Sequence, residues 1–217
     1  MERTRTLTAR SLLASGWASG WVRALSLGLL LAICSLLSNL TTAAQLAGRS
    51  NAVLAIRLTI SKIFNSGTAW AGLAIAAGWC LRRPLRAAVA AVLTCELALV
   101  VHYTLGIATG QMHSSIWWSN KSWFIGAVVL GAPLGLVGSL ARRRNVPGLI
   151  ARLLIPAGAI LEPFVMGMLP LPVAMPWPDR LSSGICGILL LTFGLTAGYL
   201  VVQHWRRTRT QKESVTP

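Results

Sequence analysis

The sequence predicts an all-α integral membrane bundle of six transmembrane helices with both termini in the cytoplasm. Of the 217 residues, 54% are hydrophobic and 12% are charged, whereas a soluble domain carries about 25% charged residues. Four basic clusters divide the chain, and between successive clusters it has room for two membrane crossings. The clusters are Arg3/Arg5/Arg10, Arg82/Arg83/Arg86, Arg142/Arg143/Arg144 and Arg206/Arg207/Arg209.

The first part of the chain predicts a cytoplasmic tail over residues 1–21 and a first membrane helix over 22–47. The apolar run is long enough to span about 30 Å of hydrocarbon. A cleaved signal peptide is the alternative, because the chain begins with basic residues and small residues occur around Thr42. In the next segment, 48–66, apolar residues recur at helical spacing, which predicts a short amphipathic helix in the outer interface. A re-entrant segment packed against the bundle is the alternative.

Five further membrane helices are predicted over residues 65–81, 85–107, 122–141, 147–168 and 181–204. The first of these should begin at Asn65 and Ser66, whose side chains can cap free backbone N–H groups. Pro84 suits the first turn of the next helix. Residues 108–121 and the proline-rich residues 170–178 are predicted outer loops. The transmembrane domain therefore covers 22–204, and residues 205–217 form a polar cytoplasmic tail that we expect to be disordered.

The distribution of basic residues predicts the orientation of the protein. Fifteen Lys and Arg residues fall on the inner side of this topology and five fall outside, which follows the positive-inside rule. Arg outnumbers Lys 17 to 3, which points to a bacterial source and hence to the bacterial plasma membrane. We expect the lipid bilayer, with anionic head groups at the Arg clusters, to be the partner of this charge. Nucleic acid is not expected, since no soluble domain gathers the basic residues on one surface.

Two acidic residues inside predicted helices are the candidates for chemistry. Glu96 lies near the middle of the third helix and Glu162 in the outer half of the fifth, and an ionisable group at such depth indicates a functional site. Tyr103 follows Glu96 by two helical turns, and His102 is predicted at a depth similar to that of Glu162. A Glu162–His102 pair could bind a cation or exchange protons. The alternative is that these groups only form hydrogen bonds between packed helices.

Prolines and glycines add an expectation about packing. Pro156 and Pro163 interrupt the fifth helix, and the carbonyl groups that they free could line a cavity beside Glu162. The pairs Gly131/Gly135 and Gly194/Gly198 predict close helix contacts.

No catalytic motif, metal site or cofactor is predicted. The four cysteines lie inside apolar runs without metal-ligand spacing, and the known catalytic signatures do not occur in the sequence.

The chain resembles a group of small bacterial multi-pass membrane proteins classed as a domain of unknown function. The matching features are Asn65-Ser66-Gly67-x-x-Trp70, Arg82-Arg83-Pro84, Tyr103, Gly131-x-x-x-Gly135 and Glu162. The resemblance covers residues 22–200 and implies the architecture. In helix number and length the chain is also similar to the substrate-binding subunits of energy-coupling-factor transporters, which implies a partner membrane subunit.

From these observations the leading functional hypothesis is binding or transport of a small solute, with Glu96, Glu162, His102 and Tyr103 near the site. The alternative is an accessory or structural membrane protein without a substrate, in which these residues are packing groups.

Overall fold

The structure is a computed structural model that describes residues 2–169 and 175–213. Within these ranges the chain is helical and contains no strand. The helices are α1 (Glu2–Ser38), α2 (Ala43–Leu46), α3 (Asn51–Phe64), α4 (Gly67–Cys80), α5 (Pro84–Ala108), α6 (Ile116–Ser119), α7 (Lys121–Leu140), α8 (Val146–Val165) and α9 (Trp177–Glu213).

Five helices are long and apolar enough to cross a membrane, judged by length and composition. They are Ala18–Ser38 within α1, then α5, α7, α8, and Trp177–Arg209 within α9. The prediction of an all-helical chain with several helices able to cross a membrane is therefore confirmed for the described residues, while the sixth crossing and the orientation stay predictions. The sixth candidate, α4, has 14 residues and a length of about 21 Å, which is shorter than the roughly 30 Å of a bilayer core.

The first membrane helix ends earlier than predicted. We expected it to reach residue 47, but α1 ends at Ser38 and the short helix α2 begins at Ala43. Thr42 and Gln45 form a reciprocal cap, in which the Thr42 N–H donates to Gln45 Oε1 at 2.9 Å and the Gln45 N–H donates to Thr42 Oγ1 at 3.3 Å. Such a capping box starts a new helix, so the apolar run is divided here.

The two predicted tails are also different in the structure. Helix α1 begins at Glu2, and α9 continues to Glu213, so the expected disorder of 205–217 is wrong for the described part. Residues 205–213 contain helix-forming Arg, Gln, Lys and Glu without Gly or Pro, which explains the extension. Of the predicted proline-rich loop, residues 170–174 lie outside the described residues.

The chain divides into two compact units. The first comprises Met1–Ile33 and Leu73–Arg142, and the second comprises Cys34–Gly72 and Arg143–Pro217. In the first unit α7 packs against α5 through glycines: a Cβ atom at Gly135 would lie 2.7 Å from Ala91 Cβ, and one at Gly131 would lie 3.3 Å from Val92 Cα. The predicted Gly131/Gly135 contact is confirmed.

Helix α1 contributes a stripe of small residues to the first unit. A Cβ atom at Gly20 would lie 2.8 Å from the Cys80 carbonyl oxygen, and one at Gly28 would lie 2.7 Å from the Thr94 carbonyl oxygen. The backbone of Ala32 lies within hydrogen-bonding reach of the His102 ring. Because α1 residues 28 and 32 meet α5 residues 94 and 102 in the same order, these two helices run parallel.

In the second unit α9 packs against both α8 and α3. A Cβ atom at Gly194 would lie 2.6 Å from the Pro156 carbonyl oxygen, and one at Gly187 would lie 3.5 Å from Pro163 Cβ. The predicted close contact at Gly194 is confirmed. Both prolines are buried and glycines of α9 pack against them, while the cavity expected beside Glu162 stays a prediction.

Candidate functional site

The most strongly hydrogen-bonded carboxylate of the second unit is that of Glu162, in the last turn of α8. Its Oε1 accepts from the Gly67 N–H at 2.7 Å, and its Oε2 accepts from the Thr68 N–H at 2.8 Å and from the Thr68 hydroxyl. All three donors belong to the first turn of α4. Both oxygens of the predicted site residue are therefore used by a helix N-terminus.

The contact follows from what a helix N-terminus lacks. The first N–H groups of a helix have no partner within it and carry a partial positive charge. In α4 the Ser66 hydroxyl accepts from the Ala69 N–H at 3.0 Å, which confirms the predicted cap by this residue. Glu162 binds the two N–H groups that Ser66 leaves free. Asn65 does not cap α4, because its side chain amide donates to the Ser61 carbonyl instead.

A second charged cluster joins α3 to the start of α9, and sequence reasoning missed it. Lys62 Nζ lies 2.6 Å from Asp179 Oδ1, 3.0 Å from the Asp179 carbonyl oxygen, 3.0 Å from Ser182 Oγ and 2.6 Å from Ser183 Oγ. The four oxygens exceed the three protons of an ammonium group, so they share its donors. Lys62 and Asp179 are 117 positions apart, and neither lies in a motif that would connect them.

A third polar cluster holds α3 to the end of α1. Arg57 Nη1 donates to the Ser38 carbonyl at 2.9 Å, where the last carbonyl groups of α1 lack helical partners. Ser61 bonds to the Asn39 side chain. Partial burial lowers the pKa of the Arg57 guanidinium, which stays protonated because the usual pKa of arginine is far above neutral pH. The polar residues of α3 thus face protein.

Glu96, His102 and Tyr103 all lie on α5 in the first unit. Glu96 Oε1 and His102 Nδ1 are buried and have no hydrogen-bond partner among the described residues. His102 meets Tyr103 edge to face with ring centroids 5.2 Å apart, and Tyr103 continues to Trp117 at 5.8 Å. Glu96 precedes Tyr103 by seven residues, which is a rise of roughly 10 Å. The structure therefore groups His102 and Tyr103 with aromatic rings.

The predicted pairing of Glu162 with His102 joins residues of different units, and it stays a prediction. Among the described residues, no group of three His, Cys, Asp or Glu side chains is placed to hold a metal ion. In the structure the Glu162 carboxylate accepts three hydrogen bonds, one from Gly67 and two from Thr68. Glu162 therefore joins the last turn of α8 to the first turn of α4.

No protein family, curated protein or solved structure matches this chain. The resemblance to a bacterial membrane protein family therefore stays a prediction.

Proposed function

We propose that the protein crosses the bacterial plasma membrane six times, with α4 as the sixth crossing and both termini in the cytoplasm. The support is the packing of the first unit, where α1 runs parallel to α5 and the end of α4 meets Gly20 near the start of the α1 span. Parallel crossings by α1 and α5 require the intervening chain to return across the membrane. Helix α4 is the candidate for that return.

The same reasoning supports a position for α3 at the outer boundary of the membrane. Arg57 binds the end of the α1 span and Lys62 binds the start of α9, so two points of α3 lie level with the ends of membrane helices. The exposed stripe of α3 is apolar: Val53, Ile56 and Ile60 are 57%, 63% and 43% exposed. This stripe faces away from the polar contacts and fits the acyl chains of the outer leaflet.

Cysteine labelling in intact spheroplasts tests this topology. In a background lacking Cys34 and Cys80, Arg49→Cys and Gln111→Cys should both react with a membrane-impermeant maleimide. Arg144→Cys should react only after the cells are permeabilised. If α4 does not cross the membrane, residues 49 and 111 fall on opposite sides, and only one of the first two variants reacts.

The function that the geometry supports best is that of an accessory or structural membrane protein without a transported solute. The observation that carries this proposal is the occupation of both Glu162 oxygens by donors of α4. Three of the roughly four acceptor positions of this carboxylate are taken by donors of α4, which favours a role in completing the N-terminus of that helix over a role in binding solute. A protein of this kind acts through a partner, so we propose a partner membrane subunit, with anionic head groups at the Arg clusters.

Solute binding is the second candidate, and a specific observation favours it. Glu96 Oε1 and His102 Nδ1 are buried on α5 without hydrogen-bond partners, and such groups are the ones a bound polar molecule would satisfy. Their separation along α5 makes one shared small ligand a weaker explanation than separate waters.

Complementation of a deletion strain with Glu162→Gln separates the two candidates. For an accessory protein, any growth defect should follow the amount of folded protein in the membrane, because the side chain acts only through stability. Glu96→Gln is the second variant, because the solute-binding candidate rests on this residue; a Glu96→Gln growth defect at full membrane abundance would favour solute binding. A Glu162→Gln defect at full membrane abundance would contradict the accessory role.

A further inference from the structure

Arg23 and Arg142 lie near the end of α4, and Arg82 and Arg83 follow that end in the chain. Arg142, which follows α7, donates to the Trp79 carbonyl and lies with its guanidinium carbon 5.9 Å from the centroid of the Trp79 ring. Arg23 of α1 and Arg142 both lie within electrostatic range of the Cys80 thiol. Arg82 and Arg83 lie in the three-residue connection between α4 and α5, residues 81–83.

This cluster, Arg23/Arg82/Arg83/Arg142, is positive and has no internal counter-charge. All four side chains are exposed, and none forms an ion pair with a residue that the structure describes. Helix α5 begins at Pro84, and its N-cap residue Arg83 makes no side-chain cap. The free N–H groups of the first turn therefore add partial positive charge beside the arginines.

Like charges brought together without an acidic partner repel one another, and an anion that binds them all relieves the repulsion. Guanidinium groups match phosphate oxygens in a bidentate geometry. Arg142 is held in place by its contacts with Trp79, so less side-chain entropy is lost when it binds. Trp79 is 42% exposed, and indole rings at the end of a membrane helix prefer the depth of lipid head groups.

We propose that Arg23, Arg82, Arg83 and Arg142 form a binding site for the phosphate of an anionic phospholipid head group. The proposal rests on the membrane placement described under the proposed function and names one site within it. Three chain segments build the site, whereas Arg206, Arg207 and Arg209 lie along the single helix α9. A site built in three dimensions should bind lipid more tightly than a basic stretch on one helix.

Lipid binding to the delipidated full-length chain in a neutral detergent tests the proposal. Phosphatidylglycerol should raise the thermal unfolding temperature and bind in native mass spectrometry, and phosphatidylcholine should do neither. The double variant Arg23→Gln/Arg83→Gln should weaken binding by about tenfold, which corresponds to a loss of about 1.4 kcal/mol in phosphate contacts. Arg206→Gln/Arg207→Gln removes the same charge and should weaken binding less than about twofold.

Two outcomes would overturn the site. Equal weakening by both double variants would mean that lipid responds to net charge alone. Equal stabilisation by inorganic phosphate would identify the ligand as a free anion, not a lipid. Lipid binding in detergent does not depend on how the protein is oriented in the membrane. Binding can therefore fail while the cysteine labelling supports six crossings, so the two proposals are tested separately.

Discussion

Replacement of Glu162 by glutamine tests whether this residue is structural. The change keeps the size and shape of the side chain and turns one carboxylate oxygen into an NH₂ group. In the wild type, one oxygen faces the Gly67 N–H and the other faces the Thr68 N–H and hydroxyl. Glutamine can keep its oxygen towards only one of these residues, so its NH₂ group must face a backbone donor.

The expected loss of stability can be worked from these contacts. The best orientation directs the glutamine oxygen to Thr68 and sets its NH₂ against the Gly67 N–H. Losing one hydrogen bond to a charged group costs about 1.5–3 kcal/mol. Removing the negative charge from the positive end of α4 costs a further 0.3–1 kcal/mol or so. The total is about 2–4 kcal/mol, which lowers the unfolding temperature of a chain of this size by about 4–16 °C.

Thermal unfolding of the purified protein in detergent, followed by tryptophan fluorescence, measures this loss. Glu162→Ala should unfold at a lower temperature still, because it removes all three bonds. Glu96→Gln should leave the unfolding temperature unchanged or raise it, since Glu96 Oε1 has no partner to lose. The reasoning is refuted if Glu162→Gln is as stable as wild type, because a residue kept for solute binding tolerates neutralisation without loss of stability.

Two further predictions concern packing and charge. Lys62→Met should destabilise the protein by about 1–3 kcal/mol, because it leaves the Asp179 carboxylate without its cation. A double-mutant cycle with Asp179→Asn should show positive coupling between the two residues. Additive effects of the two changes would contradict the ion pair. Gly138→Ala should cost about 1–3 kcal/mol, because its Cβ would press on the backbone of α4. Gly126→Ala has nothing within 4 Å and should be neutral or stabilising by up to about 1 kcal/mol in the same unfolding assay; equal effects of the two glycine changes would refute the contact.

The sequence predicts the membrane helices well because the physical signal is local. A run of about twenty apolar residues between charges is sufficient to identify α5, α7 and α8, and their bounds differ from the predicted ones by a few residues. The cap by Ser66 is also local, since it depends on residues three positions apart. The predicted end of α1 is wrong, because the capping box of Thr42 and Gln45 lies within a largely apolar run and interrupts it.

The partners of the charged residues could not be predicted, because they depend on tertiary structure. Glu162 and Gly67 are 95 positions apart, and Lys62 and Asp179 are 117 apart. The position of Glu162 deep within a predicted membrane helix identified it as important. Such a position does not distinguish a residue that binds solute from one that caps a neighbouring helix. One signal was available: Ser66 can satisfy only part of the first turn of α4, so a membrane helix that begins with Gly67 needs another acceptor.

The length of α4 gives this acceptor its physical reason. A helix of about 21 Å cannot reach both surfaces of a bilayer core about 30 Å thick. If α4 crosses the membrane as proposed and its end at Cys80 lies level with the exposed arginines, its beginning at Gly67 lies below the opposite surface, where its free N–H groups need acceptors from the protein. An unsatisfied backbone group in hydrocarbon costs several kcal/mol. A carboxylate supplied by α8 meets that need, and the cost of burying Glu162 is offset by the three donors that it binds. On the proposed topology, the shortness of α4 and the presence of a charge in α8 are therefore a single feature of this fold.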